Sequence, residues 1–116
     1  MNLKSYLSST QKRIAMPIMT HPGIEYIGKR VIDAVTDGDV HFEAIRAVVE
    51  RYNMVACTVI MDLTVEAEAF GAKINFPENE VPHVIERLVA DEASVSNLKV
   101  PDLTAGRLPE YLKANQ

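Results

Sequence analysis

The stretch that most constrains the fold is Met54–Met61, MVACTVIM, eight mostly apolar residues that end abruptly in a carboxylate, Asp62. An unbroken apolar run bounded by polar residues predicts a strand buried on both faces, as in a parallel sheet covered by helices. In α/β folds the ligand sits beyond the carboxyl ends of such strands. Asp62 therefore stands where a catalytic or binding side chain belongs. Two more carboxylates, Glu66 and Glu68, follow on a short helix expected over 64–70 and closed by Gly71, a residue suited to the left-handed position that ends a helix.

Around this run the pattern alternates between strand and helix. Leu3, Tyr6 and Leu7 share one helical face, Arg13–Thr20 reads as a first strand, and Pro22-Gly23 breaks it. Pro17 lacks a ladder donor and suits an edge. Ile24, Ile27, Val31, Ile32 and Val35 then fall on one helical stripe. The turn Thr36–Asp39 precedes a helix over Val40–Tyr52, with Asp39 as its expected cap and His41, Ala44, Ile45, Val48 and Tyr52 on one face. Beyond Gly71, Ile74 and Phe76 suggest a short strand, and Val81–Ile85 a second one returning beside it. Helical turns are expected over Asp91–Leu98 and over Pro109–Ala114, with Pro109 at the first helical position. Strand, helices, strand, helix is the grammar of βα units in a parallel sheet, and residues 1–116 are of single-domain size. Two long strands supply less than half of a (β/α)8 barrel, which takes about 250 residues. The expectation is an N-terminal portion of a longer enzyme.

Charge and cysteine content narrow the functional classes. Twelve basic against sixteen acidic residues give a net charge of -4, with no basic stripe of the kind that neutralises phosphates, so nucleic acid is an unsuitable partner. The sole cysteine, Cys57, leaves no internal disulfide and points to a reducing cytoplasm. No segment has the roughly 18 apolar residues of a membrane span, and no signal-peptide core opens the chain. The three histidines share no metal-binding spacing, and there is no paired-cysteine motif, so no metal site is expected within the chain.

The string Asp62-Leu63-Thr64-Val65-Glu66-Ala67-Glu68-Ala69, with Gly71 behind it, resembles the uroporphyrinogen decarboxylase superfamily, especially its corrinoid-dependent methyltransferase branch. In that family a helical extension leads to a first barrel strand and a Gly-containing loop, here Arg13–Thr20 and His21-Pro22-Gly23. A second strand then ends in an aspartate and an acidic helix. A short β excursion and a Val-Pro-Asp turn, here Val100-Pro101-Asp102, complete the likeness over nearly the whole chain. The resemblance implies the N-terminal portion of a (β/α)8 TIM barrel with parallel strands. It also implies transfer of a methyl group between a corrinoid carried on a partner protein and a thiol such as coenzyme M, held by zinc. The family's zinc ligands, a His and two Cys, belong to the later barrel, so the chain alone should neither bind zinc at a sulfur site nor transfer methyl groups. The decarboxylases proper carry Arg-Gln-x-Gly-Arg after the first strand, to grip substrate carboxylates. Here Gly23 matches, but Thr20 and Ile24 stand at the arginine positions and cannot form bidentate pairs. Decarboxylation of a porphyrinogen-like substrate is the alternative enzymatic reading.

The resemblance places Asp62 in the barrel mouth as the catalytic carboxylate, with His21, Gly23 and Glu66 as substrate-binding residues. Each has a plainer reading. Asp62 and Glu66 also suit the start of a helix, as cap and as complement to its dipole, and His21 is a polar loop residue. Glu68 is expected to point away, and His41 and His83 to lie at the surface. Cys57 and Met16, Met19, Met54 and Met61 read as apolar filler. A third reading, from another class, is a non-catalytic module that associates with a missing half or with a second copy through open sheet edges.

Overall fold

A computed structural model of the chain describes residues 2–16, 18 and 20–116. Among these, seven helices and one two-stranded sheet follow one another: α1 (Leu3–Ser9), α2 (His21–Tyr26), α3 (Val31–Thr36), α4 (Gly38–Tyr52), α5 (Val65–Ala69), β1 (Ile74–Asn75), β2 (His83–Val84), α6 (Glu92–Ser96) and α7 (Leu108–Ala114). No helix of the described residues is long and apolar enough to cross a membrane.

The core sits where α2, α3 and α4 meet, with Ile24, Val31, Ala34, Val35, Ala44 and Ile60 buried together and Val48 beside them. α4 is capped by Asp37, not by Asp39: the Asp37 carboxylate accepts from the Asp39 amide at 2.9 Å. The cap shifts because Gly38 already adopts helical backbone, and it is buried under α7, where Glu110 accepts its amide proton at 2.7 Å. Asn53 ends α4 in the left-handed conformation at φ 49, which Asn tolerates better than most residues.

Two expectations fail here for physical reasons. The stripe from Ile24 to Val35 is not one helix. Gly28 at φ 65 stops the first segment, and Arg30 begins a second, with its amide donating to the Asp33 carboxylate at 3.0 Å. Pro22-Gly23 does not form a loop either. The helix starts at His21, Pro22 fits its first turn, and Gly23 is buried against α4.

The pair of parallel strands is also not formed among the described residues. Residues 54–61 run from α4 towards α5 without a place in a ladder, and the only pairing present is antiparallel, Ile74 to Val84 and Asn75 to His83. Of the expected first strand, Pro17 and Met19 lie outside the described residues. The remaining residues of 13–20 take no ladder position. A strand apolar on both faces needs cover on both sides and a neighbour at its edges. Helices cover one side: Ile60 turns into their core, while Val55 and Met61 stay exposed. Met16 and Met61, expected as filler, are exposed for the same reason, and Met19 lies outside the described residues. The two stretches still meet, the Thr20 hydroxyl donating to the Thr58 carbonyl at 3.0 Å.

Candidate functional site

Asp62 lies where the extended run turns into α5, and its side chain is fully buried. One carboxylate oxygen, Oδ1, accepts from the Thr64 amide at 2.9 Å and from the Thr64 hydroxyl at 2.6 Å, a local turn that prepares the helix start. The other, Oδ2, accepts from Arg107 Nη1 at 2.6 Å and from the Tyr111 hydroxyl at 3.3 Å. Arg107 is equally enclosed. Its Nη1 also donates to the Val35 carbonyl at 3.1 Å, its Nη2 to Thr64 Oγ1 at 2.8 Å, and its Nε to Glu68 Oε2 at 2.6 Å. The Phe76 ring lies under the guanidinium, 4.7 Å from centroid to Cζ. One arginine thus joins the end of α3, the run's carboxyl end, α5, the residue that follows β1 and the start of α7.

The electrostatics follow from this enclosure. Burial by itself would raise the Asp62 carboxyl, but the hydrogen bonds from Thr64 and Arg107 outweigh it and hold the group below its ordinary value. Burial likewise opposes the charge on Arg107, and Asp62 and Glu68 overcome it. Tyr111 is pushed up, first by burial and then by the Asp62 charge, and stays a neutral donor. Next to this knot lies His41, buried and not at the surface as its sequence context suggests. Its Nε2 accepts from the Ile60 amide at 2.8 Å and its ring meets Tyr111 edge-on at 5.0 Å. Burial lowers its pKa to about 4, against a small opposing pull from Asp62.

The other candidates are arranged around the knot without joining it. Glu66 is exposed on the first turn of α5, at the rim of a groove of about 330 Å³ between the extended run and α7. Val59, Met61, Leu63, Leu108 and Leu112 make its walls aliphatic. His21 is exposed at the start of α2, where the first extended stretch ends. Gly23 lies beneath it on the α4 side, where a Cβ would come within 2.0 Å of the Ala44 carbonyl oxygen. Gly23 therefore lets α2 seat on α4. His83 is exposed, as expected, with the Asn75 amide 3.3 Å from its Nε2. Glu68, expected to point away, is the second carboxylate of the arginine. Arg107 itself escapes a reading by local motif, yet it has a signal: Arg107, Tyr111 and Ala114 share one stripe of α7. A cation on the buried stripe of a helix calls for a buried anion.

Residues 11–116 match the family described as uroporphyrinogen decarboxylase (URO-D). The chain belongs to the URO-D family. Among solved structures, a methyltransferase from Methanosarcina mazei has the same fold, with a TM-score of 0.77 and 23% sequence identity. The match covers 97% of this chain and 35% of the methyltransferase chain, so this URO-D chain spans about a third of that neighbour's length. A comparison with curated proteins finds no match. The Asp62–Arg107 knot, the groove and His21 thus all lie within the family match.

Proposed function

We propose that this URO-D chain supplies the first part of a (β/α)8 methyltransferase barrel. In the completed protein a methyl group passes between a corrinoid on a partner protein and a thiol. The carrying observation is the state of the two positions at which decarboxylases of the family bear arginine. Thr20 is buried with its hydroxyl committed to Thr58, and Ile24 is sealed in the helical core. Neither offers a cation to a substrate carboxylate, which disfavours a polycarboxylated porphyrinogen and leaves the methyltransferase reading in front. The likeness in fold to the Methanosarcina mazei methyltransferase supports the same choice.

In this reading His21 and Glu66, both exposed at the ends of the extended stretches, are the polar groups nearest the ligand, with Gly23 setting the position of His21. Asp62 lies behind them as a positioning residue. Ionised, with both oxygens engaged and its charge matched by Arg107, it is a poor proton donor and instead holds the start of α5, and with it Glu66. Zinc, which keeps a thiol as thiolate in the methyltransferase branch, needs several His, Cys, Asp or Glu donors converging. Among the described residues no three such groups converge, and Cys57 is the chain's sole thiol. The donors do not fit, and no step of thiol activation is assigned to this chain.

The test is an assay of the chain complemented with the remaining two-thirds of a barrel of this type, offered either methylcobalamin plus a thiol or a porphyrinogen. Methylation of the thiol with no release of carbon dioxide is expected. Carbon dioxide release without thiol methylation would replace the methyltransferase reading with the decarboxylase one. Asp62→Asn in the active assembly is expected to lower turnover by more than the folded fraction falls.

A further inference from the structure

The apolar run continues past the end of the stretch it meets, and its backbone donors there need other acceptors. Thr58 still touches the first extended stretch, its carbonyl accepting from the Thr20 hydroxyl at 3.0 Å. Thr20 is the last residue before α2, and its own carbonyl is taken by the Gly23 amide at 2.9 Å. Ile60 lies two residues beyond Thr58, so in extended backbone its amide faces the same edge. The acceptor it finds is not a carbonyl of the first stretch but His41 Nε2 on α4, at 2.8 Å. After it the run closes on itself: the Asp62 amide donates to the Ile60 carbonyl at 3.0 Å, and the Thr64 amide to Asp62 Oδ1 at 2.9 Å.

His41 reaches this point on the stripe that also builds the core, together with Ala44 and Val48 of α4. An imidazole nitrogen that accepts from an amide has no proton of its own, so the ring proton is on Nδ1. Burial keeps the ring neutral. An aliphatic side chain of similar size would fill the space but leave the Ile60 amide unpaired. A carboxylate would accept, but would add a second buried anion beside Asp62. A neutral imidazole gives the lone pair without the charge. Its edge also meets Tyr111 at 5.0 Å, and the Tyr111 hydroxyl donates to Asp62 Oδ2 at 3.3 Å, so one ring touches both sides of the site's anchor.

We propose that His41 is a positioning residue of the site. In its Nδ1-protonated form it supplies the acceptor that the first stretch lacks beyond Thr20, and so holds the carboxyl end of the run, with Asp62 and Glu66 behind it, against α4. That the held end serves a ligand rests on the barrel reading above; that it is held by His41 does not.

Nuclear magnetic resonance of the 116-residue chain, labelled with 15N and 13C, tests this without a substrate. At neutral pH the His41 ring is expected to show the Nδ1–H tautomer. His41→Leu is expected to speed deuterium exchange of the Ile60 amide by about tenfold relative to the Ala44 and Val48 amides. A general loss of stability would speed all three alike. The Asp62 carboxyl should at the same time titrate closer to its ordinary value, as its contact with Arg107 loosens. His41→Gln, which offers an oxygen where Nε2 lies, is expected to restore both signals. Where His41→Leu does not fold, the wild-type tautomer and the Ile60 protection in His41→Gln decide alone. An Nε2–H tautomer, an Ile60 amide and Asp62 carboxyl unmoved in His41→Leu, or no rescue by His41→Gln would each overturn the proposal. In the completed barrel, His41→Leu is expected to lower kcat more than it raises KM, with His41→Gln again restoring it. A barrel that transfers no methyl group while the resonance pattern holds would remove the methyltransferase reading and leave this one standing.

Discussion

Arg107 and Asp62 form a buried pair whose removal from water is offset by a full set of partners: two carboxylates, a hydroxyl, a carbonyl and an aromatic face. Breaking such a pair costs more than deleting it. Arg107→Met is expected to lose about 3–5 kcal/mol of stability. The double change Arg107→Met with Asp62→Asn should lose less than the sum of the two single changes, in urea unfolding followed by circular dichroism. His41 carries a separate, pH-linked expectation. Its folded pKa, about 4, lies below the 6.5 of the unfolded chain, so the unfolded state takes up the extra proton between these values. The stability from neutral His41 is complete above pH 6.5 and is lost as pH falls towards 4, by about 3 kcal/mol over that window. His41→Gln, which still offers the Ile60 amide an acceptor, should flatten that part of the pH–stability curve. The position of Asp62 at the end of the apolar run is readable from sequence because it is local. Its partner stands 45 residues later, and only the buried stripe of α7 hints at it.

Helices are readable wherever capping and periodicity agree. α4, α5, α6 and α7 fall within a residue or two of their expected ranges, α1 holds the expected Leu3, Tyr6 and Leu7, and the β1–β2 hairpin pairs as the pattern suggests. The failures come from glycine. Gly23 has the local pattern of a loop residue, yet it serves a close approach of two helices. Gly28 lies inside a continuous apolar stripe, yet its positive φ ends the first helical segment. The two positions therefore respond differently to a methyl group. Gly23→Ala drives a Cβ into the Ala44 backbone and should cost about 1–3 kcal/mol or more. Gly28→Ala meets nothing within 4 Å and should cost only about 1 kcal/mol for its positive φ. Thermal unfolding of the two variants is expected to rank them in that order. The run Met54–Met61 failed as a paired strand for a reason no local pattern contains. Its apolar character on both faces records cover that the described residues provide on one face only.

At the scale of the molecule, Met16 and Ile18 on one extended stretch and Val55 and Met61 on the other are large apolar side chains left in solvent. In the proposed barrel that surface would be covered by further strands. The most direct measurement is the binding of this chain to the remaining two-thirds of the Methanosarcina mazei methyltransferase, followed by the fluorescence of a dye that reports exposed apolar surface. A one-to-one complex that quenches the dye signal of the free chain is expected, and Met61→Asp should weaken it. A chain that is dark to the dye on its own, and that forms no complex, would contradict the reading of these residues as part of a larger barrel.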